Sequence, residues 1–192
     1  MTKLIIKSSM ILALLITMKL IEKVIPNLPS GLGDVSSLVE LTIILSSIAI
    51  GFKETIVSVL IFIIIISWIS PSIFIGGVIW TKNAQGFLGV YFLDYFLPLI
   101  LISFAGAFNF EKNIFVYLWV SFLLLLNYLS HSFGGVFFWK SYAWNNWGVY
   151  AYSFTANLVK FSILFVLTNA MIPLALLLRK KYNKKNQDLI YW

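Results

Sequence analysis

The sequence contains no cysteine and only one histidine, His131, among its 192 residues. The lack of cysteine excludes disulfide bridges and thiolate chemistry, and a single histidine excludes a histidine-rich metal site. Charged residues are also scarce, at 11%, whereas 60% of the residues are hydrophobic. An ordinary soluble domain cannot keep so much apolar surface away from water. The composition therefore predicts an integral protein of the lipid bilayer, with neither a metal nor a cofactor.

Turn-forming residues divide the apolar sequence into six pieces, each of which we interpret as a transmembrane helix. The prediction is an all-α membrane protein with one integral domain, 1–192, and spans at approximately 3–24, 36–50, 54–69, 90–108, 114–133 and 150–178. The connection IPNLPSGLGD follows the first span, and a tight GFKE turn joins the second to the third. The region Ser70–Gly89 is too polar and glycine-rich for a simple span, and is either a structured loop or a re-entrant segment.

The net charge of +7 could indicate nucleic-acid binding, but the basic residues lie at the ends of apolar runs, so we expect no nucleic acid. The positive-inside rule instead predicts that both termini are cytoplasmic. The basic residues are then divided between the cytoplasmic side (Lys3, Lys7, Lys53, Lys112, Arg179, Lys180, Lys181, Lys184 and Lys185) and the external side (Lys23, Lys82 and Lys140). This topology places the three irregular connections together on the external face, where they could build a pocket. The richness in lysine, isoleucine, phenylalanine and asparagine suggests a bacterium, and hence its plasma membrane.

An aromatic segment, Leu129–Asn157, reads LSHSFGGVFFWKSYAWNNWGVYAYSFTAN and contains the only histidine and three of the seven tryptophans. One interpretation is a belt at the membrane interface, where the amphipathic rings of tryptophan and tyrosine are enriched. The other is a ligand pocket, because aromatic faces stack on heterocycles and cations while His131, Tyr152 and Asn157 supply directional hydrogen bonds. The external position of all three irregular connections favours the pocket.

Several polar residues fall within the predicted spans, where an unpaired charge is costly. Asp94 is a candidate counter-ion for a cationic ligand, or else an interfacial carboxylate that reaches water. His131 and Asn157 face the same pair of interpretations. Lys160 lies roughly 15 Å along the last span, too deep for easy snorkelling, and shares a helix face with Asn157. We predict that Lys160 pairs with Asp94 or with Glu40 and braces the floor of the pocket.

The first span contains Ser9 and Ala13, whose spacing lets another helix approach closely. These two residues are candidates for docking a partner. No phosphate-binding glycine loop occurs in the sequence, so any energy for transport must come from another protein. The chain is also small for a carrier built from inverted repeats.

Three motifs together resemble the thiamine-binding S components of energy-coupling factor (ECF) transporters. They are FLDY at Phe92–Tyr95, HSFGGVFFWKSYAWNNWG at His131–Gly148 and AYSFTAN at Ala151–Asn157. That family has an acidic residue and a tyrosine in its fourth helix, then a histidine followed by a glycine and a tryptophan at fixed spacing. A W-G-x-x-A-Y-S segment and an asparagine come next.

The resemblance implies a six-helix subunit that is not an enzyme. It would capture thiamine from outside and dock on a transmembrane coupling protein driven by two cytoplasmic ATPases. The implied ligand-binding residues are Asp94, Tyr95, His131, Gly135, Trp139, Tyr152 and Asn157.

The chemistry of thiamine suits these residues. Asp94 can oppose the cationic thiazolium or accept from the amino group, and Trp139 can stack on a ring. Tyr152 and Asn157 can bind the polar edge of the pyrimidine, while a neutral His131 lies against the thiazolium. Gly135 would leave room for the ligand at the end of the helix.

The sequence also departs from the family pattern. Leu32 lies near the place where the family often has a tryptophan in its first outer loop, and Trp80 or Trp144 could take over that stacking. Asn127 stands where a basic residue can precede the family histidine, and we expect no family counterpart for Lys160.

Other functions stay open at this point. The ligand could be a thiamine phosphate, which Lys140 and Lys160 would suit, or the hydroxymethylpyrimidine half of thiamine. A small intramembrane enzyme could use His131 and Asp94 as acid and base, although no nucleophile or metal set accompanies them. A purely structural membrane protein is the remaining alternative.

Overall fold

The structure is a computed structural model that describes residues 2–25, 37–69, 88–108, 112–138, 143 and 147–188, with side chains up to 182. All regular structure in these ranges is helical, in six segments. They are α1 (Thr2–Val24), α2 (Leu38–Ala49), α3 (Phe52–Ile69), α4 (Leu88–Gly106), α5 (Asn113–Phe138) and α6 (Val149–Asp188).

Four of these helices are long and apolar enough to cross a membrane, namely α1, α4, α5 and the part of α6 up to Tyr182. Helix α2 is apolar but shorter, with 12 residues. Both α5 and α6 continue beyond the predicted spans, by five residues to Phe138 and by ten residues to Asp188 respectively. The longer α5 brings part of the HSFGGVFF sequence into regular helix.

The helices pack around a core to which every one of them contributes. Helix α6 packs most extensively on α2 and α5, α4 packs on α5, and α1 packs on α3. Ile11 of α1, Ile44 of α2, Leu124 of α5 and Ile172 of α6 are almost completely buried. The outer faces carry exposed apolar side chains such as Ile6 and Trp68, which suits contact with lipid.

At the beginnings of α1 and α3, a charged pair joins the two helices. Lys7 Nζ lies 3.2 Å from Glu54 Oε1 and also lies 4.8 Å from the centre of the Tyr182 ring. Two serine hydroxyls donate across the same contact, Ser8 to the carbonyl of Glu54 at 3.1 Å and Ser58 to the carbonyl of Ser8 at 2.8 Å. We call this group the α1–α3 pair.

Helix α4 contains a π-helical turn at Tyr91–Phe96, in which the backbone N–H of Leu97 donates to the carbonyl of Phe92, five residues earlier. Pro98 follows immediately. Proline has no N–H, so the backbone hydrogen-bonding pattern is interrupted at this point. Such widened turns occur mostly as single turns within α-helices, often at functional sites.

If the π-helical pattern continued, the carbonyl of Leu93 would accept a hydrogen bond from the backbone N–H of residue 98. Pro98 has no N–H, so this carbonyl needs another donor. Ser130 of α5 supplies the missing donor, since its Oγ donates to the Leu93 carbonyl at 2.7 Å. The next residue, Asp94, thereby lies on the side of α4 that faces α5. The serine hydroxyl thus holds the backbone next to Asp94 against α5.

Candidate functional site

Four charged or ionisable side chains, each from a different helix, meet in the interior of the bundle. Glu40 comes from α2, Asp94 from α4, His131 from α5 and Lys160 from α6. The sequence separates them by up to 120 positions, so only the packing of the helices brings them together. We call these four residues the site cluster.

Lys160 Nζ lies 2.9 Å from Glu40 Oε1. The sequence left both Asp94 and Glu40 open as partners of this lysine, and the structure pairs it with Glu40. Lys160 lies roughly 16 Å along α6 from its beginning at Val149, whereas Glu40 is in the first turn of α2. A side chain from the start of the fourth turn of α6 therefore meets the first turn of the short α2. The side chain of Glu40 is only 6% exposed, which makes a partner for its charge essential.

The imidazole of His131 lies between two carboxylates. Its Nδ1 is 3.6 Å from Asp94 Oδ1, and its Nε2 is 3.5 Å from Glu40 Oε1. Within the described part of the chain, Nε2 is buried and makes no hydrogen bond, and its contact with Glu40 is long. The ring is thus close to both carboxylates without being tightly bound by either.

Asn157 lies beside the site cluster on the same face of α6 as Lys160. Its Nδ2 donates to the carbonyl of Ser153, one turn earlier, at 2.9 Å, and reaches the carbonyl of His131 at 3.5 Å. The second contact crosses from α6 to α5. Asn157 therefore links the helices that carry His131 and Lys160.

Two adjacent glycines allow the close packing around His131. A Cβ atom on Gly134 would collide with the carboxylate of Asp94, and one on Gly135 would collide with Ser153 Oγ. Ser153 Oγ also donates to the carbonyl of Ser132 at 2.7 Å. The space beside Gly135 is thus used by Ser153, and the proposal that this glycine also leaves room for a ligand stays a prediction.

The remaining sequence-predicted residues fall in three groups. Tyr152 is buried in the first turn of α6, and Tyr95 is partly buried in the π-helical turn, directly after Asp94. Ser9 and Ala13 are exposed on α1. The three candidate stacking residues, Trp80, Trp139 and Trp144, lie outside the described residues.

Sequence reasoning missed three residues that shape this site, namely Gly134, Ser130 and Ser153. The pair of glycines in HSFGGVFF was a usable signal, because two small residues in a buried helix permit close approach on two faces. Ser130 and Gly134 are four residues apart and lie on the face of α5 toward α4, a spacing that could have linked them to Asp94.

A small pocket adjoins the site cluster between α5 and α6, and its lining includes Asn127, His131, Asn157 and Lys160. It has room for about one water molecule. Metal binding has no support in the described ranges, where no group of three or more histidine, cysteine, aspartate or glutamate residues could hold an ion. The arrangement offers carboxylates, an imidazole and an amide, which together suit a ligand with positive charge and polar ring edges.

Comparison with known proteins assigns the chain to a family. The model of the family described as Thiamine transporter protein (Thia_YuaJ) matches residues 5–186, nearly the whole chain. The chain belongs to this family. With several apolar helices of spanning length, this member of the thiamine transporter family is a multi-pass membrane protein.

The fold is also similar to that of a solved structure, ThiT from Listeria monocytogenes. The TM-score is 0.61 at 16% sequence identity, and the match covers 93% of this chain and 97% of that chain. At this identity the likeness concerns the fold. No curated protein sequence matches the chain.

Proposed function

We propose that this chain is the thiamine-binding subunit, or S component, of an ECF-type vitamin uptake transporter. The observation that carries the proposal is the site cluster, in which Asp94 and His131 meet inside the bundle of a chain that belongs to the thiamine transporter family. The ThiT-like fold supports it further. A buried carboxylate beside an imidazole is the arrangement that the resemblance implies for a cationic thiazolium.

Each candidate residue then has a distinct role. Asp94 opposes the positive charge of the thiazolium or accepts from the amino group, while His131 lies against the thiazolium. Asn157 and Tyr152 bind the polar edge of the aminopyrimidine. Further stacking and contact surfaces come from Trp139, with Tyr95, Trp80 and Trp144 as additional candidates.

Unphosphorylated thiamine fits the site cluster better than thiamine phosphate does. The ammonium of Lys160, which could have attracted a phosphate, is held at 2.9 Å by Glu40. Glu40, Asp94 and Lys160 together carry one negative charge when His131 is neutral. This charge complements a monocation and opposes an anionic group.

The proposal includes the setting of the subunit. Six helices span the plasma membrane of a bacterium, both termini are cytoplasmic, and the ligand enters from the external side. Ser9 and Ala13, which are exposed on α1, are the proposed contact for a transmembrane coupling protein. Two cytoplasmic ATPases bound to that protein supply the energy, since the chain itself has no phosphate-binding loop.

A fluorescence titration tests the assignment. The purified chain is titrated with thiamine, thiamine monophosphate, thiamine diphosphate and hydroxymethylpyrimidine, and the tryptophan emission is followed. We expect saturable quenching at the lowest concentration with thiamine, because the bound rings stack on an indole. A response to a different vitamin, with none to thiamine, would overturn the substrate assignment.

Two tryptophan variants make the titration specific. Trp139→Phe should lose most of the quenching amplitude. Trp68→Phe is the matched control, since Trp68 is 83% exposed on α3 and should leave the amplitude unchanged. Equal quenching in both variants would remove the stacking role of Trp139. Co-purification of the wild-type chain with an ATPase pair tests the proposed partners.

A further inference from the structure

Glu22 is a buried carboxylate near the end of α1 that the proposed function does not use. The residue is 6% exposed. Its Oε2 lies 3.0 Å from the ammonium of Lys19, and its Oε1 accepts a hydrogen bond at 3.0 Å from the backbone N–H of Val39. Val39 is the second residue of α2 and the immediate neighbour of Glu40.

The position of α2 explains why this hydrogen bond matters. The first turn of any α-helix has N–H groups without an intrahelical acceptor, and in an apolar environment each one that stays unsatisfied is costly. The residue before α2, Ser37, does not cap this turn with its side chain in the described structure. Glu22 supplies an acceptor instead, and its negative charge is favourable at the N-terminus of a helix.

We infer that Glu22 is a positioning residue for the ligand site, acting through the first turn of α2. The path is short: Glu22 holds the backbone of Val39, the next residue is Glu40, and Glu40 Oε1 contacts both Lys160 and His131. Loss of the Glu22 carboxylate loosens the turn that carries Glu40. The carboxylate of Glu40 then shifts relative to the imidazole of His131, which also faces Asp94.

The α1–α3 pair provides a matched control within the same molecule. Glu54, like Glu22, is a largely buried carboxylate that pairs with a lysine of α1 and helps to fasten α1 to its neighbour. The contact of Glu54 with α1 is near the beginning of that helix, whereas Glu22 is near its end. Glu54→Gln, like Glu22→Gln, removes the charge of a carboxylate that pairs with a lysine of α1, and it therefore weakens helix packing. It leaves the part of α2 next to Glu40 unchanged.

His131 is the only histidine in the chain, so it can be observed directly. The full-length protein is produced with ¹⁵N-labelled histidine, and the imidazole nitrogen resonances are compared between variants. We expect a clear shift in Glu22→Ala and a smaller one in Glu22→Gln, whose amide oxygen can still accept from Val39. Glu54→Gln should leave the resonances in place.

A double-mutant comparison separates positioning from general loosening. If Glu22 acts through Glu40, adding Glu22→Ala to Glu40→Gln should change the His131 resonances little further. The thiamine dissociation constant should rise about tenfold on Glu22→Ala in the wild-type background, and less than about twofold in the Glu40→Gln background. Should Glu22→Ala fail to fold, Glu22→Gln and Lys19→Met give the same comparison with smaller expected changes.

Two results would overturn the inference: equal resonance shifts in the Glu22 and Glu54 variants, or a Glu22 effect that persists undiminished without the Glu40 carboxylate. The affinity measurement rests on the proposed function, whereas the resonance measurement needs no ligand. A wild-type chain that binds no thiamine would overturn the proposed function, and the resonances would still decide the role of Glu22.

Discussion

The site cluster and the α1–α3 pair both place charge inside an apolar bundle, but they satisfy it differently. In the α1–α3 pair one lysine meets one glutamate, and two serine hydroxyls donate to backbone carbonyls across the same contact. In the site cluster Lys160 pairs with Glu40, and the imidazole of His131 lies between Glu40 and Asp94 with two long contacts, at 3.5 and 3.6 Å. The ion pair between α1 and α3 balances one positive charge with one negative charge at short distance. At the proposed ligand site, the carboxylate and imidazole atoms lie at longer distances that a bound ligand can change.

The largest effect should come from Lys160 of the site cluster, compared with Lys7 of the α1–α3 pair. Lys160→Met leaves the buried carboxylate of Glu40 without its cation, and we expect a loss of roughly 3–5 kcal/mol in stability. Lys7→Met in the α1–α3 pair should cost about 1 kcal/mol. Thermal unfolding in detergent, followed by circular dichroism, measures both.

The double variant Lys160→Met with Glu40→Gln checks the cause of that loss. It should recover much of the stability, because no uncompensated charge remains. If Lys160→Met alone were as stable as wild type, the ion pair would be unnecessary for the fold.

The second effect concerns binding. Asp94→Asn removes the negative charge proposed to oppose the thiazolium while keeping the shape of the side chain. We expect thiamine affinity to fall roughly 100-fold, about 2.7 kcal/mol, with little change in the unfolding temperature. Glu54→Gln should instead lower the unfolding temperature and leave the thiamine affinity nearly unchanged. Isothermal titration calorimetry measures the affinity of both variants. Unchanged affinity in Asp94→Asn would remove its role as counter-ion.

The third effect separates the two adjacent glycines. Gly135→Ala should destabilise the α5–α6 contact by about 1–3 kcal/mol, since the added methyl collides with Ser153 Oγ. Gly134→Ala should instead displace the Asp94 carboxylate and weaken thiamine binding about tenfold. Adding Ser153→Ala should restore part of the stability that Gly135→Ala loses. It should restore none of the thiamine affinity that Gly134→Ala loses. Identical profiles for the two glycine variants would contradict this division.

The smallest effect concerns the π-helical turn. Ser130→Ala leaves the Leu93 carbonyl without the hydroxyl that replaces the missing N–H of Pro98, and we expect a loss of about 1 kcal/mol. Because Asp94 follows Leu93 directly, a small loss of thiamine affinity should accompany it. A stability loss above that of Lys160→Met would show that α4, and not the ion pair, holds the site together.

Much of the fold could be predicted from the sequence, because apolar length and turn residues are local properties. The apolar run before IPNLPSGLGD and the GFKE motif mark the end of α1 and the junction of α2 with α3. The ends of α5 and α6 were harder to predict. Apolar length marks the limit of the membrane, and a helix can continue past that limit into polar sequence. The family could be identified because its motifs lie in short, continuous stretches.

The internal connections of the site could be predicted only in part. The depth of Lys160 in its span required an acidic partner, but the choice between Asp94 and Glu40 depends on where the short α2 begins. At the π-helical turn before Pro98, the carbonyl of Leu93 accepts from Ser130 of another helix, and Glu22 of α1 accepts from the backbone of Val39 in α2. Such contacts depend on helix packing, which no local pattern encodes.

A structure determined with thiamine bound would test the central claim most directly. We expect the thiazolium beside the carboxylate of Asp94 and the imidazole of His131, with the aminopyrimidine at Asn157 and Tyr152. Thiamine bound away from the site cluster, with the contacts among its four residues unchanged, would contradict it.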